Sequence, residues 1–215
     1  SVVYNWVDEQ TVIDVPRSDN VLFDRYGLDK TKFYITYCGN FGLSQNLEML
    51  IKTAKSFEKY SDIQFVLVGN GVCKDKLEQL INDESLNNIT LLPFQPYEDI
   101  SLVFSLGDVS LVISKPGTGN GCVPSKTWSI MSASRPVLAN FDDCELKDII
   151  EQSNSGVFTQ AGDEDAFKSA IMTLYNNREL CKEYGMNGRK FVMNNLTKEI
   201  GTQKYVDVIR QVVHR

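Results

Sequence analysis

The chain has 215 residues, enough for one large domain or two small ones, with the ordinary globular balance of 42% hydrophobic and 23% charged residues. Its 28 Asp and Glu outnumber 22 Lys and Arg, for a formal charge of -6, so its surface repels phosphate backbones and general nucleic-acid binding is not expected. No apolar run is long enough for a transmembrane helix, and the only histidine, His214, is the penultimate residue, which argues against a histidine base or histidine-ligated metal.

Residues 1–18 are polar, contain Pro16 and read as a linker. The opening Ser1-Val2-Val3-Tyr4-Asn5-Trp6 has neither the charged nor the apolar region of a signal peptide, and without an initiator Met the chain reads as excised from a longer protein. Phe33 to Cys38, β-branched and aromatic and stopped by Gly39, predicts a strand. Leu47, Leu50, Ile51, Ala54 and Phe57 then share one helical face, with Ser44 as the expected N-cap. Ile63 to Val68 is a continuous apolar run ended by Gly69, the pattern of a strand buried on both faces of a parallel sheet. Lys74 to Glu84 is helical, Ile89 to Leu92 a strand, Tyr97 to Leu106 a short helix and Val109 to Ile113 another buried strand.

A Gly- and Pro-rich loop, Ser114 to Ser125, precedes a helix over Lys126 to Ala133. Strands at Pro136 to Ala139 and Gly156 to Phe158 flank a helix over Leu146 to Ile150. Beyond Asp163 the pattern is helical throughout, with one stripe of Phe167, Ala170, Ile171 and Leu174 and another of Tyr205, Val208, Ile209 and Val212. The alternation predicts an α/β fold, a doubly wound parallel sheet of about six strands with extra C-terminal helices. The division expected is a linker at 1–18, a Rossmann-like domain at 19–195 and a final helix at 196–215.

In an open parallel sheet, ligands bind beyond the carboxyl ends of the strands. Three loops there are glycine-rich: Gly39-Asn40-Phe41-Gly42, Gly69-Asn70-Gly71 and Ser114 to Gly121, which runs on to Pro124-Ser125-Lys126. Glycines let backbone N–H groups approach a ligand, and Lys115 and Lys126 add positive charge, so an anion site is expected. Neither the dinucleotide fingerprint nor a Walker P-loop fits, since Cys122 breaks the first and no GxxxxGK[ST] occurs. Five cysteines without a CxxC pair read as reduced thiols of a cytosolic protein, with Cys38 and Cys122 as packing residues. Asp142-Asp143 with Glu145 reads either as a solvated helix start or, less often, as a functional carboxylate cluster.

The order of these segments resembles the C-terminal, donor-binding half of a GT-B glycosyltransferase of family 4 (group 1), over nearly the whole chain. The carrying segments are Tyr4-Asn5-Trp6-Val7-Asp8, Tyr37 to Gly42 with Gln45 to Glu48, Phe65 to Gly71, and Pro124-Ser125-Lys126 followed by Met131 and Arg135-Pro136-Val137. The last is similar to the WcaI-like branch of exopolysaccharide synthesis. The resemblance implies transfer of a sugar from a nucleoside diphosphate sugar, with retention, to a glycan or lipid-linked acceptor held by an N-terminal domain. It implies a cytoplasmic enzyme whose membrane contact runs through that other half, no metal, and no turnover by this chain alone. Lys126, assisted by Lys115, would stabilise the leaving diphosphate beside the Gly39–Gly42 backbone. Gly69, Asn70, Gly71, Phe94, Gln95 and Tyr97 would surround the base and ribose, and Gly117, Pro124, Ser125, Ser129 and Glu145 would complete the donor site. The chain departs from the family at the paired glutamates, replaced by Gly121 and Ser129, at Asn40 and Gln45 in place of Arg and Lys, and at Ser134 in place of glycine. The rivals are a sugar-nucleotide epimerase, which needs carboxylates and histidines this chain lacks, and a non-catalytic nucleotide-binding or flavodoxin-like regulatory module.

Overall fold

The computed structural model describes residues 3–119 and 121–213. Ser1, Val2, Asn120, His214 and Arg215, which the sequence reading touches, lie outside them. Six strands, β1 (Phe33–Asn40), β2 (Ile63–Asn70), β3 (Ile89–Leu92), β4 (Val109–Ile113), β5 (Val137–Phe141) and β6 (Gly156–Gln160), form one sheet in the order β3-β2-β1-β4-β5-β6. Every neighbouring pair is parallel. The chain leaves β1 in one direction to build β2 and β3 and returns beside β1 as β4, so the topological switch point lies between β1 and β4.

Alternate side chains separate the two faces. Phe33, Ile35 and Tyr37 of β1, Phe65 and Leu67 of β2, and Leu111 and Ile113 of β4 join one cluster under α2 (Leu47–Ser56), α3 (Lys74–Asp83) and α7 (Glu164–Asn176). Tyr34, Val66 and Val68 face the other way, against α1 (Leu22–Arg25) and α4 (Ile100–Phe104). Val112, Val137 and Ala139 meet α5 (Lys126–Ser132), α6 (Glu145–Ser153) and α8 (Arg178–Asn195). α1 has no periodic signal in the sequence: it is one turn, held by burial of Leu22 and Phe23. The N-cap of α2 is Asn46, in the left-handed region, and not the expected Ser44, whose carbonyl accepts the Lys115 N–H at 2.8 Å.

Besides α1, whose closing turn uses Gly27 at φ 63, three helices end alike on a residue other than glycine. The bonds Leu86 N–H to the Ile81 carbonyl, Arg135 N–H to Ile130 and Ser155 N–H to Ile150 close six-residue turns around Ser85, Ser134 and Asn154, each with positive φ. These are Schellman caps, whose left-handed residue is normally glycine. Ser134 holds this position at φ 55. Ser134→Gly removes the Cβ strain and is expected to stabilise the protein by ~1 kcal/mol, read as a melting temperature raised by ~2–4 °C. An unchanged or lower melting temperature contradicts this.

Residues 3–18 do not run free, although their polarity suggested a linker. Val7 and Val12 are buried, and the backbone N–H groups of Ile13 and Val15 donate to the hydroxyls of Ser101 and Ser105. Arg189 on α8 donates to the carbonyls of Val12, Ser132 and Glu9, clamping this segment to α5. Two isolated valines carry no period, so tertiary contacts alone reveal the docking. α9 (Lys198–Val213) starts against the same segment: the Trp6 and Tyr205 rings meet edge to face at 5.7 Å, and Trp6 lies on Gly201. Its later apolar residues do not return to the sheet; Ile209 is 58% and Val212 67% exposed.

Candidate functional site

The loops after β1 and β4 meet at the switch point. Lys126, the first residue of α5, brings its ammonium to the end of β1. A Cβ on Gly39 would lie 2.8 Å from Lys126 Nζ, the movable end of that side chain, and it is the backbone of Gly39, at φ 144, that calls for glycine there. The ammonium sits 4.0 Å from the centroid of the Tyr37 ring, whose hydroxyl donates to the Asn40 carbonyl at 2.8 Å. No acidic group pairs with it among the described residues. Burial therefore pulls the lysine down to about 8, with the Cys38 thiol acting weakly in the other direction. The same burial pushes Cys38 up to about 11, the protonation of a packing residue and not of a nucleophile.

The first two glycine loops serve one another. A Cβ on Gly69 would overlap the Gly39 carbonyl oxygen, and one on Gly71 would lie 2.6 Å from the Phe41 carbonyl oxygen. Phe41 is fully buried and its N–H donates to the Asn70 carbonyl at 2.8 Å, so within the predicted Gly39–Gly42 cradle this N–H is already engaged. The Gly42 N–H has no protein partner among the described residues, and Gln45 Oε1 and Asn40 Nδ2 crowd over that glycine. The Asn70 side chain caps the Gly71 N–H at 2.9 Å.

The turn after β3 presents two exposed rings, Phe94 and Tyr97, at 67% and 65%. The Gln95 amide between them is tied down: it donates to the Tyr26 hydroxyl at 2.8 Å and to the Pro93 carbonyl at 2.6 Å. Leu43 and Val72 are also exposed on neighbouring loops, so an apolar row follows the rim from β3 to β1.

The loop after β4 is braced on several sides. Lys115 and Thr118 bond the Ser44 carbonyl, Pro116 lies against Gly162, and Gly119 packs under Phe141. The Asp142 carboxylate accepts the N–H groups of Gly117 and Gly119 at 2.9 and 2.7 Å. Lys115 is near Glu48, whose carboxyl it helps hold below the usual range behind the stronger effect of Lys76. Three buried polar atoms at this rim lack partners among the described residues: Gln45 Oε1, Ser114 Oγ and Thr127 Oγ1. Pro124 and Ser125 lead into α5, and Ser129 is half-buried one turn along it.

Glu145 lies apart, lining a cavity of about 330 Å³ with Tyr4, Asn5, Cys122 and Trp128. Cys122, expected as a packing residue, is exposed, because the loop carries it away from the core. A larger cavity of about 850 Å³ opens at the opposite, amino-terminal rim, but two of its arginines are paired, Arg17 with Asp108 and Arg135 with Asp14, both at 2.7 Å. The switch point is the stronger candidate, because there a cation is left without a counter-charge. Sequence reasoning missed Asp142 as an organiser of the site; its side chain is 5% exposed, not part of a solvated helix start.

Comparison with known proteins bears on the fold and the family. Among curated relatives, WcaI of Escherichia coli K12, named for colanic acid biosynthesis, is 30% identical over 60% of this chain and 31% of its own length. EpsD of Bacillus subtilis 168, named as a glycosyltransferase, is 28% identical over 81% of this chain and 45% of its own. Others match over longer stretches at lower identity, so no single branch is picked out. The chain spans about a third to a half of the length of these relatives. Among solved structures, Anabaena HepE in complex with UDP superposes with a TM-score of 0.85 at 18% identity, covering 98% of this chain and 57% of HepE. The model of the "Glycosyl transferases group 1" family matches residues 18–191, and the chain belongs to that family.

Proposed function

We propose that this chain is the donor-binding half of a retaining glycosyltransferase that moves a sugar from a nucleoside diphosphate sugar to a glycan or lipid-linked acceptor in surface polysaccharide synthesis. The observation that carries this reading is Lys126: an ammonium half-buried at the switch point, against Gly39 and without an acidic partner among the described residues. A diphosphate supplies the missing counter-charge, and the Gly42 N–H, in the loop that leaves β1, is a donor without a protein partner among the described residues. Phe94 and Tyr97 offer faces for the base. HepE has been solved with UDP and with UDP-glucose, which supports the same ligand class here.

The chemistry asked of this half is modest. As the bond to the sugar breaks, negative charge grows on the β-phosphate, and a preplaced ammonium in a water-poor site lowers that barrier. Lys126 has this role; Lys115 assists from the loop edge. The acceptor hydroxyl is positioned by a preceding N-terminal domain, and the donor phosphate helps to take its proton, so this chain alone turns nothing over. The exposed stripe of α9 and the docked segment around Trp6 lie together and form the junction with that domain. The enzyme is cytoplasmic and any membrane contact is made by the preceding half; among the described residues no helix is long and apolar enough to cross a membrane. No metal is invoked.

A second reading rests on Gly121 and Ser129, which stand where the family's glutamates hold the donor: a nucleotide-binding module without catalysis. Calorimetry with UDP, GDP and ADP tests the shared premise. Dissociation constants of high micromolar to millimolar are expected, ~4–6 kcal/mol. Full-length protein with intact turnover excludes the module.

The pH dependence is specific. The diphosphate binds the ammonium form, whose group titrates at about 8 in the free protein and higher when bound. UDP affinity therefore holds below pH 8 and falls above it, by as much as ~10-fold per pH unit. Uridine affinity stays flat from pH 7 to 8.5, below the range in which its own ring N–H titrates. A UDP profile that is flat from pH 7 to 9.5 removes Lys126 from the site.

A further inference from the structure

Resting on the donor-site reading above, we propose that Asp142 is a positioning residue for donor binding: its buried carboxylate fills the anion-accepting hollow of the loop after β4, fixing that loop and leaving the diphosphate to Lys126 and the Gly42 turn. In the bare sequence, Gly117-Thr118-Gly119 looks like a phosphate cradle. Its two glycine N–H groups converge, but on Asp142 Oδ1 and Oδ2 at 2.9 and 2.7 Å. The acceptor is internal, only 5% exposed, and 23 to 25 residues away in the chain.

The geometry explains why a carboxylate is used. Two N–H groups two residues apart demand two acceptor oxygens on one rigid group, and a carboxylate offers both without a donor that would face an N–H. An amide cannot: one of its two ends carries hydrogens. The placement of Asp142 is in turn fixed by β5. Asn140, fully buried, donates to the Thr159 hydroxyl and the Gln160 carbonyl and accepts the Gly162 N–H at 2.9 Å. Phe141 lies on Gly119, so that a Cβ there would meet its ring at 2.5 Å. The end of β5 thus holds the loops after β4 and β6 together, and Pro116 touches Gly162 across the gap.

Two consequences follow for the ligand. A phosphate placed on Gly117 would compete with a buried anion that already owns its N–H, so Gly117 does not donate to the donor substrate. And the stretch from Lys115 to Gly119 is braced by protein groups, Asp142 and the Ser44 carbonyl, which lowers the ordering cost of binding.

The test uses Asp142→Asn with UDP and uridine as paired ligands. UDP affinity is expected to fall at least tenfold, with uridine affinity within twofold of the parent. A variant that is folded and only less heat-stable, with the UDP-to-uridine ratio unchanged, gives Asp142 a purely structural role and overturns the proposal. Should the variant not fold, the parent protein decides by amide NMR: on adding UDP the Gly42 resonance moves while those of Gly117 and Gly119 stay put. Movement of Gly117 and Gly119 in step with ligand shows that the loop itself takes the phosphate and overturns the proposal. Absence of any UDP binding by the parent is a different result: it sinks the donor-site reading.

Discussion

Lys126→Ala weakens UDP binding by ~10–100-fold and leaves uridine binding unchanged, because a charge-assisted contact to phosphate contributes ~1.5–3 kcal/mol and the base side never meets this group. The same position should show a trade between function and stability. Folding takes the ammonium from water to a site facing Tyr37 and Gly39, and its titration drops from the ordinary lysine value to about 8. Between pH 8 and 10.5 the unfolded chain binds more protons than the folded one, so stability rises with pH across that window. Below pH 8 both states are charged and the full cost is present. Lys126→Met, which keeps the apolar stem, should therefore raise stability at pH 7 by ~1–3 kcal/mol, with the gain vanishing above pH 10. A methionine variant that binds UDP normally contradicts the binding half of this account, and one that melts lower than the parent at pH 7 contradicts the stability half. Equal losses for UDP and uridine would move Lys126 to the base side.

The second large effect is structural. Gly69→Ala places a methyl group onto the Gly39 carbonyl oxygen and beside the Phe41 ring, where backbone and a fully buried side chain cannot give way. The cost expected is at least ~3 kcal/mol, which in a protein of this size lowers the melting temperature by ~6–12 °C. Because β1 and β2 pair Gly39 with Gly69 directly, the displacement lands on the lysine site as well. Gly117→Ala is the control: its Cβ meets nothing within 4 Å, and only the positive φ of 81 is strained, so ~1–2 kcal/mol is expected. Equal melting temperatures for the two variants would show that the contact between the strands relaxes freely.

Much of this architecture was legible because the core strands are apolar on both faces. Ile63 to Val68 and Val109 to Ile113 announce buried parallel strands, and the glycine-rich stretches near their carboxyl ends mark the rim where ligands bind, although β1 and β2 run through Gly39 and Gly69 to Asn40 and Asn70 instead of stopping at the glycines. Strand order was not legible, yet it is the order that puts Lys126 beside Gly39: 86 intervening residues return to β1 only through the β1–β4 pairing. The role of Asp142 was hidden for a related reason. Asp142-Asp143-x-Glu145 has the composition of a helix start, and Glu145 does begin α6, but β5 runs on to Phe141 and draws Asp142 under the neighbouring loop. Gln95 misleads differently. It lies in the turn expected near the base, and its amide is taken up by Tyr26 beside α1, an element that one buried turn of chain could not advertise. Family likeness placed Lys126 at the site; only packing shows it without a counter-charge.

The central claim is that a diphosphate binds where Lys126 meets the ends of β1 and β4. The most direct test is a crystal of this chain soaked with UDP. The account predicts density for the diphosphate within hydrogen-bonding distance of Lys126 Nζ and the Gly42 N–H, with Asp142 still bonded to Gly117 and Gly119. Diphosphate bound instead in the arginine-lined cavity at the opposite rim, or on the Gly117–Gly119 loop with Asp142 displaced, would contradict it.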